Sequence, residues 1–195
     1  MINSVIAGFL IGMGGAMYLT NMGVVGAVIF SLGLLTILHF KFHLFTGKAG
    51  LLTTYEISPM DLGLIWCGNL IGSGICAGLI HLTPLAADIA MNAVNITAKR
   101  IENGLLPNIA LGIFCGLLMY VAVSSYQTKP WVTVMCVAGF ILGRFNHCIA
   151  DMFYMWMASF SVNVGEAMAA IICTTFGNII GCNLIPMCEK IRGRC

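Results

Sequence analysis

Arg144, His147 and Asp151 fall within eight residues, inside the apolar run Gly139-Phe-Ile-Leu-Gly-Arg144-Phe-Asn-His147-Cys-Ile-Ala-Asp151-Met-Phe-Tyr-Met-Trp-Met157. Ionisable groups in a stretch otherwise suited to lipid are costly, and their default explanation is a substrate path or a proton relay. An imidazole, with an ordinary pKa of about 6.5, exchanges protons near neutrality. Asp151 lies four residues after His147, one helical turn if the backbone is helical, where its carboxylate can pair with Arg144 or His147. A buried histidine in a soluble core is ordinarily a hydrogen-bonded structural residue. In a span, between a cation and a carboxylate, pore chemistry is the stronger reading.

Composition supplies that context. The chain has 195 residues, 59% of them hydrophobic and 8% charged, and its mean hydropathy is +0.98. Soluble domains carry about 25% charged residues, so this chain cannot cover a water-facing surface. Each spanning helix takes roughly 20 apolar residues, which leaves room for about six spans and no soluble active site, nucleotide loop or nucleic-acid surface. No Lys or Arg precedes Lys41, so the first apolar stretch reads as a retained span rather than a signal peptide. The nine cysteines form no Cys-x-x-Cys pair; Cys67, Cys76, Cys115, Cys136 and Cys173 sit singly in apolar segments. They read as packing residues, and no metal or cofactor is expected.

Hydropathy with Gly, Pro and polar punctuation predicts spans over about 4–19, 24–43, 62–82, 106–123, 131–160 and 167–188. A short apolar piece over 49–55 follows the second, and a polar connection over 88–103 follows the third. The second and fifth segments are overlong and carry charges, so both are expected to be broken helices. The interruptions fall near Leu44-Phe45-Thr46-Gly47 and near Asn146-His147. Lys129, Lys190, Arg192 and Arg194 lie on one side against Lys99 and Arg100 on the other, which puts both termini in the cytoplasm of a multi-pass protein of the inner (plasma) membrane.

An internal repeat organises these elements. Gly68-Asn69-Leu-Ile-Gly72 matches Gly177-Asn178-Ile-Ile-Gly181, and Lys41-Phe42-His43-Leu44 matches Arg144-Phe145-Asn146-His147. Each unit has an odd number of spans, so the second copy enters the membrane inverted, as in transporters with a site near the midplane. The chain is thus expected to be one all-α membrane channel domain over 1–195: repeat 1 over about 1–83, a connection over about 84–104 and repeat 2 over about 105–195.

Lys41, Lys48 and Arg144 attract anions to the breaks. A bare anion pays a large desolvation cost at an apolar constriction, which a weak acid avoids by taking a proton. His147 is the expected centre of this pore and proton relay, with Thr46, Asn69 and Asn178 as small polar groups that orient it or the substrate. Leu44 and Phe45 would form the apolar constriction. Asn69 and Asn178 equally suit interhelical packing.

The chain resembles the formate/nitrite transporter family of pentameric anion channels over almost its whole length. The residues that carry the resemblance are Ser4–Gly8 through Tyr18–Thr20, Leu44-Phe45-Thr46-Gly47, Gly68-Asn69-Leu-Ile-Gly72, Thr97-Ala98-Lys99, Phe145-x-His147-x-Ile149-Ala150-x-Met152-Phe153 and Gly177-Asn178-Ile-Ile-Gly181. Lys129 stands at the spacing before the histidine at which formate channels carry a lysine, and joins Lys41, Lys48 and Arg144 as an expected anion-attracting residue. The resemblance implies an aquaporin-like six-helix protomer with its own pore, in a homopentamer surrounded by lipid. It implies His147 as the central pore histidine with Thr46 and Asn178 beside it, and Leu44 and Phe45 as part of the constriction. Family substrates are formate, nitrite, hydrosulfide and, in some members, acetate or lactate.

Lys41 and Arg144 replace family glycines, His43 and Asn146 replace glutamates, and Asp151 and Gly116 replace asparagines. The family's N-terminal amphipathic segment is not in this sequence. The expected function is a channel or proton-coupled facilitator, not an enzyme, for a small monovalent weak-acid anion. Competing readings are a pore for a neutral solute such as ammonia or urea, and a haem- or quinone-binding subunit using His39, His43, His81 and His147.

Overall fold

The computed structural model describes residues 1–193; Arg194, one of the basic residues used for orientation, lies outside them. Among the described residues the secondary structure is helical throughout. In chain order the helices are α1 (Ile2–Thr20), α2 (Val24–His39), α3 (Phe45–Ala49), α4 (Pro59–His81), α5 (Ala86–Asn103), α6 (Leu105–Ser125), α7 (Pro130–Leu142), α8 (Cys148–Ala158) and α9 (Val164–Ile191). Of these, α1, α4, α6 and α9 are long and apolar enough to cross a membrane, whereas α2, α7 and α8 are apolar but shorter. Their outer faces carry Leu64, Ile71, Phe114 and Phe176 exposed, as suits helices whose solvent is lipid.

α1 packs along α4 and α2, and α6 packs along α9 and α7. Small residues allow these close approaches. A Cβ on Gly72 would meet the Val5 carbonyl, and one on Gly181 would meet the Ile113 carbonyl. α8 runs through the middle against α1, α4, α5 and α9, with its residues from Cys148 to Met155 all buried.

α2 and α7 end in the same way. Lys41 and Arg144 adopt φ of 57° and 56°. The Phe42 amide bonds the Ile37 carbonyl at 2.9 Å and that of Lys41 bonds Leu38 at 3.4 Å. Phe145 bonds Phe140 at 2.9 Å and Arg144 bonds Ile141 at 3.0 Å in the same pattern. This is the Schellman helix end, whose left-handed residue is ordinarily glycine. A side chain there costs about 1–2 kcal/mol, partly offset by the greater freedom that glycine, by about 0.4–1 kcal/mol, gives the unfolded chain. Lys41→Gly and Arg144→Gly are each expected to stabilise the protein by roughly 0.5 kcal/mol. Thermal unfolding in detergent measures this; a lowered midpoint would contradict the strain.

Two sequence expectations change. Phe45, Thr46 and Gly47, expected within the first interruption, form the start of α3, and the non-helical stretch lies before them, from Phe40 to Leu44. The connection over 84–104 is mostly helix. In α5 the buried residues Ile89, Ala93 and Thr97 recur every fourth position, one stripe of an amphipathic helix. Asp88 in its first turn and Arg100 in its last complement the helix dipole. Asp88, Lys99 and Glu102 lie off that stripe, while Arg100 continues it toward α8.

Candidate functional site

Both interruptions are held by an asparagine in the facing helix. Asn69 Oδ1 accepts from the Phe45 amide at 2.9 Å, and its Nδ2 donates to the carbonyls of Ser4 at 2.7 Å and His43 at 3.0 Å. Asn178 Oδ1 accepts from the Cys148 amide at 2.9 Å, and its Nδ2 donates to the carbonyls of Gly112 and Asn146, each at 2.9 Å. Each amide thus satisfies two backbone groups of its interruption (the Phe45 amide and His43 carbonyl, or the Cys148 amide and Asn146 carbonyl) and ties them to a carbonyl of α1 or α6. Asn178 was expected either to orient His147 or the substrate or to serve interhelical packing. It is not a hydrogen-bonded neighbour of His147; it braces the segment that presents His147. Asn69 does the same at the other interruption.

His147 caps α8. Its Nδ1 accepts from the Ala150 amide at 3.2 Å, and its Nε2 lies 2.9 Å from Thr46 Oγ1 in the first turn of α3. The cap assigns the ring proton to Nε2, which donates to Thr46. The ring stacks on Phe140 with centroids 5.4 Å apart and planes at 15°. His147 and Thr46 are 2% and 1% exposed. The pairing expected between these two residues, 101 positions apart, is thus present in the fold.

On one side of this pair a cavity of about 500 Å³ is lined by Tyr18, Lys99, Arg100, Arg144, Asp151 and, at its inner end, His147, among others. A second cavity, of about 320 Å³, is lined by His43, Lys48, Glu56 and Asp61 with neighbouring apolar residues. Between His43 of the second cavity and Thr46 lie Leu44 and Phe45, 2% and 3% exposed and lining neither cavity. Arg144 reaches the first cavity and Lys48 the second; Lys41 and Lys129 are exposed and line neither.

Asp151 is buried and pairs with Arg100, whose Nε lies 3.4 Å from Oδ1. The sequence pointed to Arg144 or His147 as its partner. The Arg144 side chain instead stays exposed, and its carbonyl accepts from Arg100 Nη1 at 3.5 Å. α5 is the reason: it lies against α8 and brings its last turn over Asp151. Arg100 is also tied to the second interruption, since Asn108 Nδ2 donates to its carbonyl at 2.7 Å and Asn146 Nδ2 donates to Asn108 Oδ1 at 2.9 Å. Sequence reasoning missed Arg100 and Asn108; the only available signal was a cation in the last turn of an amphipathic helix.

A model of the formate/nitrite transporter family matches residues 1–188. The formate channel FocA of Escherichia coli (strain K12) is 26% identical over 190 residues, a match covering 84% of this chain and 66% of that protein. FocA of Haemophilus influenzae (strain Rd) is 26% identical over 151 residues, covering 68% of this chain and 53% of that one. The chain thus matches at most 66% of the length of these relatives. Among solved structures, a pentameric formate channel with formate bound superposes with a TM-score of 0.81 at 22% identity, covering 98% of this chain and 95% of that one. An ion channel of the same family gives a TM-score of 0.80 at 20% identity, over 98% and 88%. The structures establish the shared fold, and the family is one of membrane transporters, not enzymes. With a family match over nearly its whole length, this multi-pass membrane protein belongs to the formate/nitrite transporter family.

Proposed function

We propose that the chain is one protomer of a homopentameric channel or proton-coupled facilitator for a small monovalent weak-acid anion: formate, nitrite, hydrosulfide or a short carboxylate. The observation that carries this reading is the His147–Thr46 hydrogen bond, buried between two cavities that each carry lysine or arginine. In this reading α2 with α3, and α7 with α8, are two broken spans of a six-span protomer. They belong to inverted repeats over about 1–83 and 105–195, joined by the connection that contains α5. The whole is a single channel domain in the inner membrane with both termini cytoplasmic. The matching Schellman ends and asparagine braces support the repeat.

An anion collects in the first cavity near Arg144 and Lys99 and moves toward the N-terminus of α8, the positive end of its dipole. Leu44 and Phe45 form a dry constriction that a charged solute cannot enter cheaply. The permeant therefore crosses as the neutral acid. The His147 Nε2–H donates to its oxygen or sulfur in exchange for Thr46, replacing the hydration it loses, and Lys48 receives the anion on the far side.

Uptake of formate, nitrite, hydrosulfide, acetate and lactate into proteoliposomes at two pH values tests this. Uptake of at least one, faster at the acidic pH, is expected. Phe45→Ala should raise lactate relative to formate several-fold by widening the constriction; an unchanged ratio would place the gate elsewhere.

A further inference from the structure

Asp151 has one carboxylate oxygen that its surroundings leave unsatisfied. Oδ1 accepts a single long bond from Arg100, while Oδ2 is buried with no hydrogen-bond partner. The residue lines the first cavity and follows His147 by one turn of α8, its amide bonding the His147 carbonyl at 2.9 Å. A buried carboxylate oxygen lacking a donor is costly. It is satisfied by binding a proton itself or by accepting one from a guest, and these are the two halves of a proton exchange. His147 is differently placed. Its Nδ1 already accepts from Ala150, so a second ring proton would cost the cap of α8.

The charged and titratable groups around Asp151 suit this role. Tyr18 comes from α1, Lys99 and Arg100 from α5, and Cys115 from α6. Cys148 and Tyr154 lie on α8 itself, and Arg144 and His147 on the preceding interruption. Among the described residues, α4 and α9 contribute none to the cavity lining. The nearest charge is the Arg100 guanidinium, which stabilises the carboxylate once its proton has left.

We infer that Asp151 is the proton-exchange residue of the first cavity, loading the permeant before it reaches His147. An anion drawn in by Arg100 and Arg144 takes the proton from protonated Asp151. The O–H bond at Oδ2 breaks, a bond from that proton to the anion's oxygen or sulfur forms, and the products are the neutral acid and a carboxylate paired with Arg100. Asp151 takes its next proton from hydronium of the bathing solution, relayed by cavity water, so that one proton from that side enters with each anion. This rests on the proposed passage past His147.

The test is formate uptake by the full chain in proteoliposomes, across acidic to neutral pH and at equal incorporated protein. Asp151→Asn keeps an oxygen for Arg100 but carries neither a transferable proton nor the carboxylate charge. Its uptake should fall at neutral pH by roughly a hundredfold, the lower end of what a positioned proton donor contributes. It should approach wild type at acidic pH, where formic acid itself is supplied. Asp151→Glu should retain much of the neutral-pH uptake. An Asp151→Asn profile superimposable on wild type would overturn the inference. So would equal loss in both variants at every pH, which would leave Asp151 only as a tether for Arg100. Unimpaired uptake by His147→Phe would instead overturn the passage proposed above, an outcome read independently of the Asp151 profile.

Discussion

His147→Phe is expected to reduce formate flux roughly 10–100-fold at every pH, because leaving the desolvated acid's oxygen without a donor costs about 1–3 kcal/mol. Phenylalanine preserves the ring that stacks on Phe140 but offers nothing to a solute that has lost its water. It also removes the acceptor that caps the Ala150 amide, so a second variant separates the two effects. His147→Asn restores a good N-cap while shortening the reach to Thr46, and it should lose flux with a smaller loss of stability. Thr46→Val should leave the Nε2–H without its resting partner and weaken flux less. Stopped-flow uptake, with thermal unfolding of each variant alongside, measures both quantities. Wild-type flux in both His147 variants would remove the residue from the pathway.

Asn178→Ala should be among the most damaging single substitutions in the chain, although Asn178 donates nothing to His147. It strips partners from the Cys148 amide and the Asn146 carbonyl in the interruption and removes the tie to the Gly112 carbonyl of α6. These backbone groups lie beside a fully buried side chain. Each unsatisfied buried group costs about 1–3 kcal/mol, so a combined loss of roughly 3–5 kcal/mol is expected, against a total stability of about 5–15 kcal/mol for a typical domain. The midpoint of thermal unfolding in detergent should fall sharply, and the monodisperse fraction on size exclusion with it. Asn69→Ala should behave alike, since it frees the Phe45 amide and the His43 carbonyl and removes the tie to the Ser4 carbonyl of α1. Asn178→Asp keeps the acceptor and loses both donors, so it should fall between. An unchanged midpoint for Asn178→Ala would show that these amides are not the braces.

Much of the architecture is legible in the residues because lipid imposes a one-dimensional rule. A span must satisfy its own backbone and present apolar side chains over a set length, and the predicted stretches over 4–19, 62–82, 106–123 and 167–188 overlie α1, α4, α6 and α9. Charges inside the other two apolar segments marked where regular helix stops. The exact boundary at the first was displaced, because Lys41, not Phe45 to Gly47, carries the left-handed turn. The connection containing α5 escaped notice as helix because a hydropathy average discards the fourfold spacing of Ile89, Ala93 and Thr97.

What the sequence alone determined, then, is a membrane-spanning helical chain with polar interruptions at two places, a histidine at one of them, and the family motifs around both. Partnership was decided only in three dimensions. Thr46 meets His147 across 101 residues, Arg100 meets Asp151 across 51, and Asn178 holds the backbone on either side of His147. None of these follows from local spacing. Each depends on which helix faces pack, and the physical reason is that a buried polar atom takes the partner that the packed backbone brings within reach, not the one nearest in sequence.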